Sequence, residues 1–329
     1  MYSNFFGNNE IVRNLYDCSF GSTILHKTVK TPNKSIGISL ILLSTTFIIL
    51  YFPFLIIMFK KKYIKNSYYV ISIFIGIINL LYITIHGLGS GYLAWYGETY
   101  CTKPKIITFI GSFSVSLWGV YCISLLILLF NRCLALYNIN LHRTVFKKTN
   151  ILQRLAVPII YFIYLVNFTP PLIFSTINNS WYFYPYKDHP KHINTNVPTT
   201  NLYYLLNNYF IVIVITVSII FCLLIEIGEV MANKKTPKLV EVSINFSFFQ
   251  TIILTVIIYL TSIFLIILHF NEGTIPGIIV EIILLSVNGI PSILYLIFNK
   301  KLKNDIYSLL HYAPKNKTPV KPLKKKLEI

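Results

Sequence analysis

The sequence predicts an all-α membrane protein: a seven-transmembrane helix bundle, N-terminus outside, with a short amphipathic helix after span seven. Three observations predict it. Apolar residues make up 55% of the 329-residue chain and charged residues only 12%, whereas a soluble domain carries about 25% charged residues and needs polar surface to cover its core. Seven apolar runs, nearly free of charge, match the roughly 20 residues that cross a bilayer. Finally, 21 of the 29 Lys and Arg residues fall on the segments at one face of those runs, the bias that marks the cytoplasmic side. The same composition excludes a disordered chain, which is poor in apolar residues. Five Cys are too few for a disulfide-dense secreted scaffold.

The runs cover 36–59, 68 to about 94, 106–130, 155–177, about 205–227, 244–268 and about 275–298. An odd number puts the termini on opposite sides. Three regions follow: an extracellular N-terminal segment over 1–35, a seven-transmembrane domain over 36–298, and a cytoplasmic amphipathic helix with a basic tail over 299–329. The first 35 residues lack the apolar core and small-residue cleavage site of a signal peptide, so span one is expected to act as its own signal. No internal repeat stands out, and seven spans do not halve evenly, which counts against an inverted-repeat transporter. Most of the basic excess behind the net charge of +18 is spread over four inner segments, which argues against nucleic acid and for membrane topology.

Polar side chains inside a span are costly, so each needs a reason. Asn79 in span two and Asn288 in span seven both fall near mid-membrane, about 16 and 20 Å from the ends of their helices, and form a candidate polar pair. Pro291, three residues further on, frees a carbonyl and permits a bend. His86 and Glu281, in the outer halves of spans two and seven, read either as structural hydrogen-bonding groups or as contacts for a polar ligand. Trp118 in span three reads as core or as the floor of a ligand site. Trp181, Tyr182, Phe183 and Tyr184, just past span four, read as an interfacial aromatic belt or a lid over a ligand entrance. Arg132, at the inner end of span three, reads as a snorkelling anchor or as a switch that changes partners when helices move.

Among the outside segments, Cys18 and Cys101 each stand alone, and the oxidising secretory pathway favours a bridge between them over two buried thiols. Cys122, Cys133 and Cys222 lie within or below the membrane and are expected to stay reduced. Sequons at Asn33 and Asn178 face outside. Gly87-Leu-Gly-Ser-Gly91 has no strand before it and no Lys after it, so it is no phosphate cradle; it suits close helix approach. His189 and His192 have no companions for a metal site. No catalytic cluster, nucleophile elbow or cofactor motif appears, so an enzyme is not expected. Beyond span seven, Leu302, Ile306, Leu309 and Leu310 share one face of a helix suited to the inner leaflet, and the Lys-rich tail suits anionic lipid.

The residues also carry a resemblance. Leu15-Tyr-Asp-Cys18-Ser19, Gly91-Tyr-Leu-Ala-Trp-Tyr-Gly97 followed by Cys101, Leu117-Trp118-Gly119, Leu129-Phe-Asn131-Arg132-Cys133-Leu134, Trp181-Tyr-Phe-Tyr-Pro185 and Gly289-Ile-Pro291-Ser-Ile-Leu-Tyr295-Leu-Ile-Phe-Asn299-Lys300 stand in order along the chain, and the likeness runs from about Tyr16 to Tyr307. Together they resemble the nematode serpentine receptor class T chemoreceptors, within the G-protein-coupled receptor plan. The resemblance implies a plasma-membrane chemosensory receptor, in settings such as a sensory cilium. Its partners would be a small-molecule or peptide ligand outside and a heterotrimeric G protein inside. It matches Asn131-Arg132-Cys133 to the acidic-Arg-aromatic motif of rhodopsin-like receptors, with Arg132 as the switch and Pro291 and Tyr295 as its span-seven companions. The sequence departs from that pattern in four places. Asn131 is neutral. Pro291 and Tyr295 are four residues apart rather than three. Span six has no Pro. The long outer loop has no Cys, which leaves Cys18 as the substitute partner for Cys101. A transporter or ligand-gated channel is the alternative reading.

Overall fold

A computed structural model of the chain describes residues 31–183, 202–231, 238–270, 276–298 and 300–310. The seven spans are helices. Span one is α1 (Lys34–Met58). Span two joins α3 (Ser67–Tyr82), a π-helical turn over Ile83–Gly87 and α4 (Leu88–Tyr96), and is preceded by the short α2 (Lys61–Ile64). Span three is α5 (Pro104–Tyr137), followed by α6 (Ile139–Val145). Spans four to seven are α7 (Lys148–Phe168), α8 (Leu202–Met231), α9 (Lys238–Phe270) and α10 (Gly277–Phe298). The helix α11 (Lys300–Leu310) closes the described chain. Among the described residues five helices are long and apolar enough to cross a membrane, and two shorter apolar stretches, Gln153–Phe168 and Tyr204–Ile220, lie in spans four and five.

Local chemistry sets the ends. Asn33 caps span one, its side chain accepting from the Ile36 amide. Pro104 opens span three at the first helical position, where its missing N–H costs nothing. Span four is shorter than the apolar run that announced it. Pro170 follows Thr169, whose backbone is extended (φ −119°, ψ 149°), because the residue before a proline avoids helical geometry. The apolar residues beyond turn into a hairpin instead, with β1 (Ile173–Ser175) antiparallel to β2 (Ser180–Tyr182). The expected run to residue 177 is therefore corrected to a helix end at Phe168.

Span three is the hub, packing against spans two, four, five and six, while span seven packs against spans one, two and six. Small residues permit the closest approaches. A Cβ on Gly37 of span one would lie 2.8 Å from the Trp95 amide nitrogen and 2.9 Å from the Gly91 carbonyl, so span one and α4 meet backbone to backbone. Gly289 makes the same room for the Phe47 ring. The amphipathic helix packs under span one with Leu302 and Ile306 buried. Asp305 accepts from the Tyr63 hydroxyl at 2.7 Å and pairs with Lys62. Burial pushes the Asp305 carboxyl up, but the hydrogen bonds from Lys62 and Tyr63 and the Lys62 and Lys60 charges outweigh it, holding the group below its usual range.

Cys101 and Cys133 are each disulfide-bonded, and Cys122 is free and buried. The expectation that Cys133 stays reduced is thereby corrected: only 5% exposed, it is screened from the reductants that the compartment argument assumes. Cys18, Tyr184, His189, His192, the Cys222 side chain and the basic tail beyond residue 310 lie outside the described residues.

Candidate functional site

Three polar clusters run through the apolar core. The outer one centres on Glu281 of span seven and His86 of span two, each 1% exposed. His86 sits in the π-helical turn, an irregularity that recurs at functional sites. Its Nε2 lies 2.9 Å from Glu281 Oε2 and its Nδ1 lies 2.9 Å from Ser114 Oγ of span three. Ser90 and Ser180 donate to the two carboxylate oxygens at 3.4 and 3.3 Å, and the Trp181 indole donates to Ser90 Oγ at 2.7 Å. Tyr82 stacks on His86 at 4.8 Å, and Trp181 leans over it at 5.5 Å. Trp181 is thus no surface belt residue but the roof of the cluster, carried there by the hairpin.

The hydrogens can be counted. Ser114 spends its single hydroxyl proton on the Ile110 carbonyl at 2.6 Å, so Ser114 Oγ must accept from His86 Nδ1–H. Ser90 receives the indole N–H and gives its proton to Glu281. The contact between Nε2 and Oε2 therefore holds one proton, carried either by an imidazolium facing a carboxylate or by a carboxylic acid facing a neutral imidazole. Either form satisfies both buried groups, as a charge this deep requires.

The middle cluster departs from the expected amide pair. Asn79 and Asn288 communicate through Tyr51 of span one rather than side chain to side chain. Asn79 Nδ2 donates to the Tyr51 hydroxyl at 3.1 Å, which donates to the Asn288 carbonyl at 2.6 Å. The Asn288 amide turns back to the Leu284 carbonyl. Pro291 lacks the N–H that would serve the Val287 carbonyl, and the Tyr121 hydroxyl stands 3.5 Å from that oxygen. Trp118 is core: its indole donates to Asn208 of span five at 3.2 Å, and no contact ties it to His86 or Glu281.

The inner cluster centres on Arg132, 5% exposed. Its Nε and Nη2 donate to Asn131 Oδ1 at 3.0 and 2.6 Å, and Nη1 donates to Ser247 Oγ of span six at 2.9 Å. The guanidinium lies 4.6 Å from the Tyr68 ring centre, a cation–π contact, and the Tyr68 hydroxyl donates to Gln250 of span six at 2.9 Å. Asn131 donates in turn to Ser67 and meets His142 Nε2 at 3.1 Å. Burial, then the Arg132 and Arg143 charges, lower the His142 pKa to about 4, so its ring is neutral at cytosolic pH and accepts from Asn131. Tyr295 is buried against Phe54 at 4.6 Å and lies 6.5 Å from Tyr68, ring centre to ring centre. Sequence reasoning missed Tyr51, Ser247, Gln250, His142, the two serines on Glu281 (Ser90 and Ser180) and Ser114 on His86. Gln250 carried the one usable signal, an amide inside an apolar span.

A bundle of seven helices with these buried polar clusters defines a seven-transmembrane integral membrane protein of the serpentine type. The family model described as serpentine type 7TM GPCR chemoreceptor Srt matches residues 1–318, and the chain belongs to that family. Serpentine receptor class T-55 of Caenorhabditis elegans is 29% identical over 107 residues, 31% of this chain and 29% of that protein. The chain thus covers less than a third of the length of this relative.

Proposed function

We propose that the protein is a plasma-membrane chemosensory receptor that binds an external ligand at the His86–Glu281 cluster and activates a heterotrimeric G protein through its inner face. The observation that carries this reading is the alignment of the three clusters along spans two, three and seven. An event at Glu281 acts on the helix that also holds Asn288, Pro291 and Tyr295. Tyr295 borders Tyr68, on which Arg132 rests.

A ligand favouring a different spacing of spans two and seven biases the bundle toward an open inner mouth. In the closed mouth Arg132 and Tyr68 are tied to span six by Ser247 and Gln250. These neutral partners take the place of the acidic lock that Asn131 lacks. On opening, Arg132 and the basic inner segments become available to the G protein, and the amphipathic helix keeps its place on anionic inner-leaflet lipid. A Cys18–Cys101 bridge would hold the N-terminal segment over the outer end of span three.

The test is a ligand screen in cells expressing the full chain, read as a second messenger, beside Arg132→Ala. The reading expects saturable responses that Arg132→Ala removes while surface expression persists. Undiminished signalling by the variant discards it.

A further inference from the structure

We infer that the outer cluster takes a protonated amine, which replaces the shared proton of His86 as the counter-cation of Glu281. The inference rests on the placement of the ligand site proposed above and adds its chemistry. Glu281 is a buried carboxylate whose partners all supply hydrogens: Ser90, Ser180 and His86. Among the described residues Arg132 is the one buried Lys or Arg, and it lies at the opposite end of span three. Glu281 therefore has no fixed cation among the described residues. What stands in a cation's place is the single proton shared between His86 Nε2 and Glu281 Oε2.

The walls select the same ligand. Tyr82 and Trp181 present rings to His86, the group that the ligand would displace from Glu281, with Phe174 edge-on behind Trp181 at 5.2 Å. Ring faces attract cations and repel anions. A carboxylate ligand would meet the Glu281 carboxylate with only His86, flanked by these rings, to hold it. An alcohol would add to Glu281 nothing that Ser90 and Ser180 do not already give.

The exchange balances. The incoming ammonium donates to Glu281, the proton between Nε2 and Oε2 leaves for solvent, and His86 keeps Nδ1–H on Ser114. One cation enters and one proton departs, so the buried charge is unchanged. Among the described residues, the ionisable side chains besides His86 that interact with Glu281 are Tyr82 of span two and Tyr204 of span five. Span three offers Ser114, α4 offers Ser90, and the hairpin offers Ser180 and Trp181, none of which titrates. The pair is 1% exposed, so the ligand reaches it when the Ser180–Glu281 and Trp181–Ser90 bonds open.

The experiment uses cells expressing the full chain, a second-messenger readout, and surface staining for every variant. The probes are 2-phenylethylamine and butylamine, each with its alcohol and carboxylic-acid counterpart. Amines are expected to act at concentrations about 30-fold or more below their counterparts, and Glu281→Gln to raise the amine EC50 by at least about 30-fold. His86→Gln keeps a hydrogen to give Glu281 but holds no exchangeable proton. It is expected to retain the amine response and lose its pH dependence, whereas wild-type potency falls up to about tenfold per unit of acidification. A merely structural pair would lose both responses together. The inference is overturned if Glu281→Gln at the surface answers amines as wild type does, if alcohols or acids match the amines, if His86→Gln keeps the wild-type pH dependence, or if no amine acts. Responses to alcohols or acids that still require Glu281 and Trp181 would sink the amine class alone, leaving the site as proposed. Responses indifferent to both residues would sink the site.

Discussion

Replacing Ser247 with Ala is expected to raise signalling in the absence of ligand. Arg132 makes two hydrogen bonds to Asn131, but Asn131 rides on the same helix and moves with it. Only the Ser247 bond at 2.9 Å and the Tyr68 ring contact cross to other spans, and only Ser247 reaches span six. A hydrogen bond to a charged group contributes about 1.5–3 kcal/mol. Arg132 is buried but Ser247 is only half-buried, so water can replace part of the lost contact, which leaves about 1 kcal/mol. That shifts the closed-to-open ratio about fivefold. The assay is basal second-messenger output normalised to surface receptor, with Ser247→Thr, which keeps the hydroxyl, as the control. Basal output that stays level or falls in Ser247→Ala, with surface expression intact, refutes the idea that this bond holds the mouth closed.

Three further outcomes follow from the geometry. Cys18→Ser is expected to free a thiol at Cys101, detected by an impermeant maleimide; unchanged outside labelling refutes the bridge. His142 charges in the unfolded chain near its ordinary value of about 6.5 but in the folded protein only near about 4. Its neutral form therefore favours folding at neutral pH, and that contribution is lost as pH falls through this window. The Tm of purified receptor should fall more steeply between pH 6.5 and 4 for wild type than for His142→Gln, and equal slopes would contradict it. Asp305→Asn removes the partner of Lys62 and weakens that of Tyr63. It should speed amide exchange across 300–310 while costing less than about 1 kcal/mol overall, since Lys62 is largely solvated.

The spans were legible because lipid tolerates so little charge, and their direction because lysines record it. The break at Pro170 and Pro171 was obscured by the apolar residues beyond it, which read as more helix until the proline constraint is applied. The hairpin hid the role of Trp181, since a tryptophan beside a span end satisfies the interfacial pattern equally well. His86 and Glu281 could be singled out separately as costly residues, but not paired. The π-helical turn that sets His86 against Glu281 leaves no mark in hydrophobic periodicity. Tyr51 was invisible for a related reason: a tyrosine in an apolar span looks like bulk, and only the fold aims its hydroxyl at two other helices. The neutral Asn131 was read as a missing lock, while its actual task, holding Arg132 on one side and Ser67 and His142 on the other, depends on helices far apart in sequence.

The most direct measurement of the central claim is nucleotide exchange on a heterotrimeric G protein, driven by purified full-length receptor in lipid. Wild-type receptor with an activating ligand is predicted to accelerate exchange, and Arg132→Ala, folded and in the same lipid, is predicted not to. Equal acceleration by the variant, or none by wild type with any G protein despite ligand binding, would contradict it.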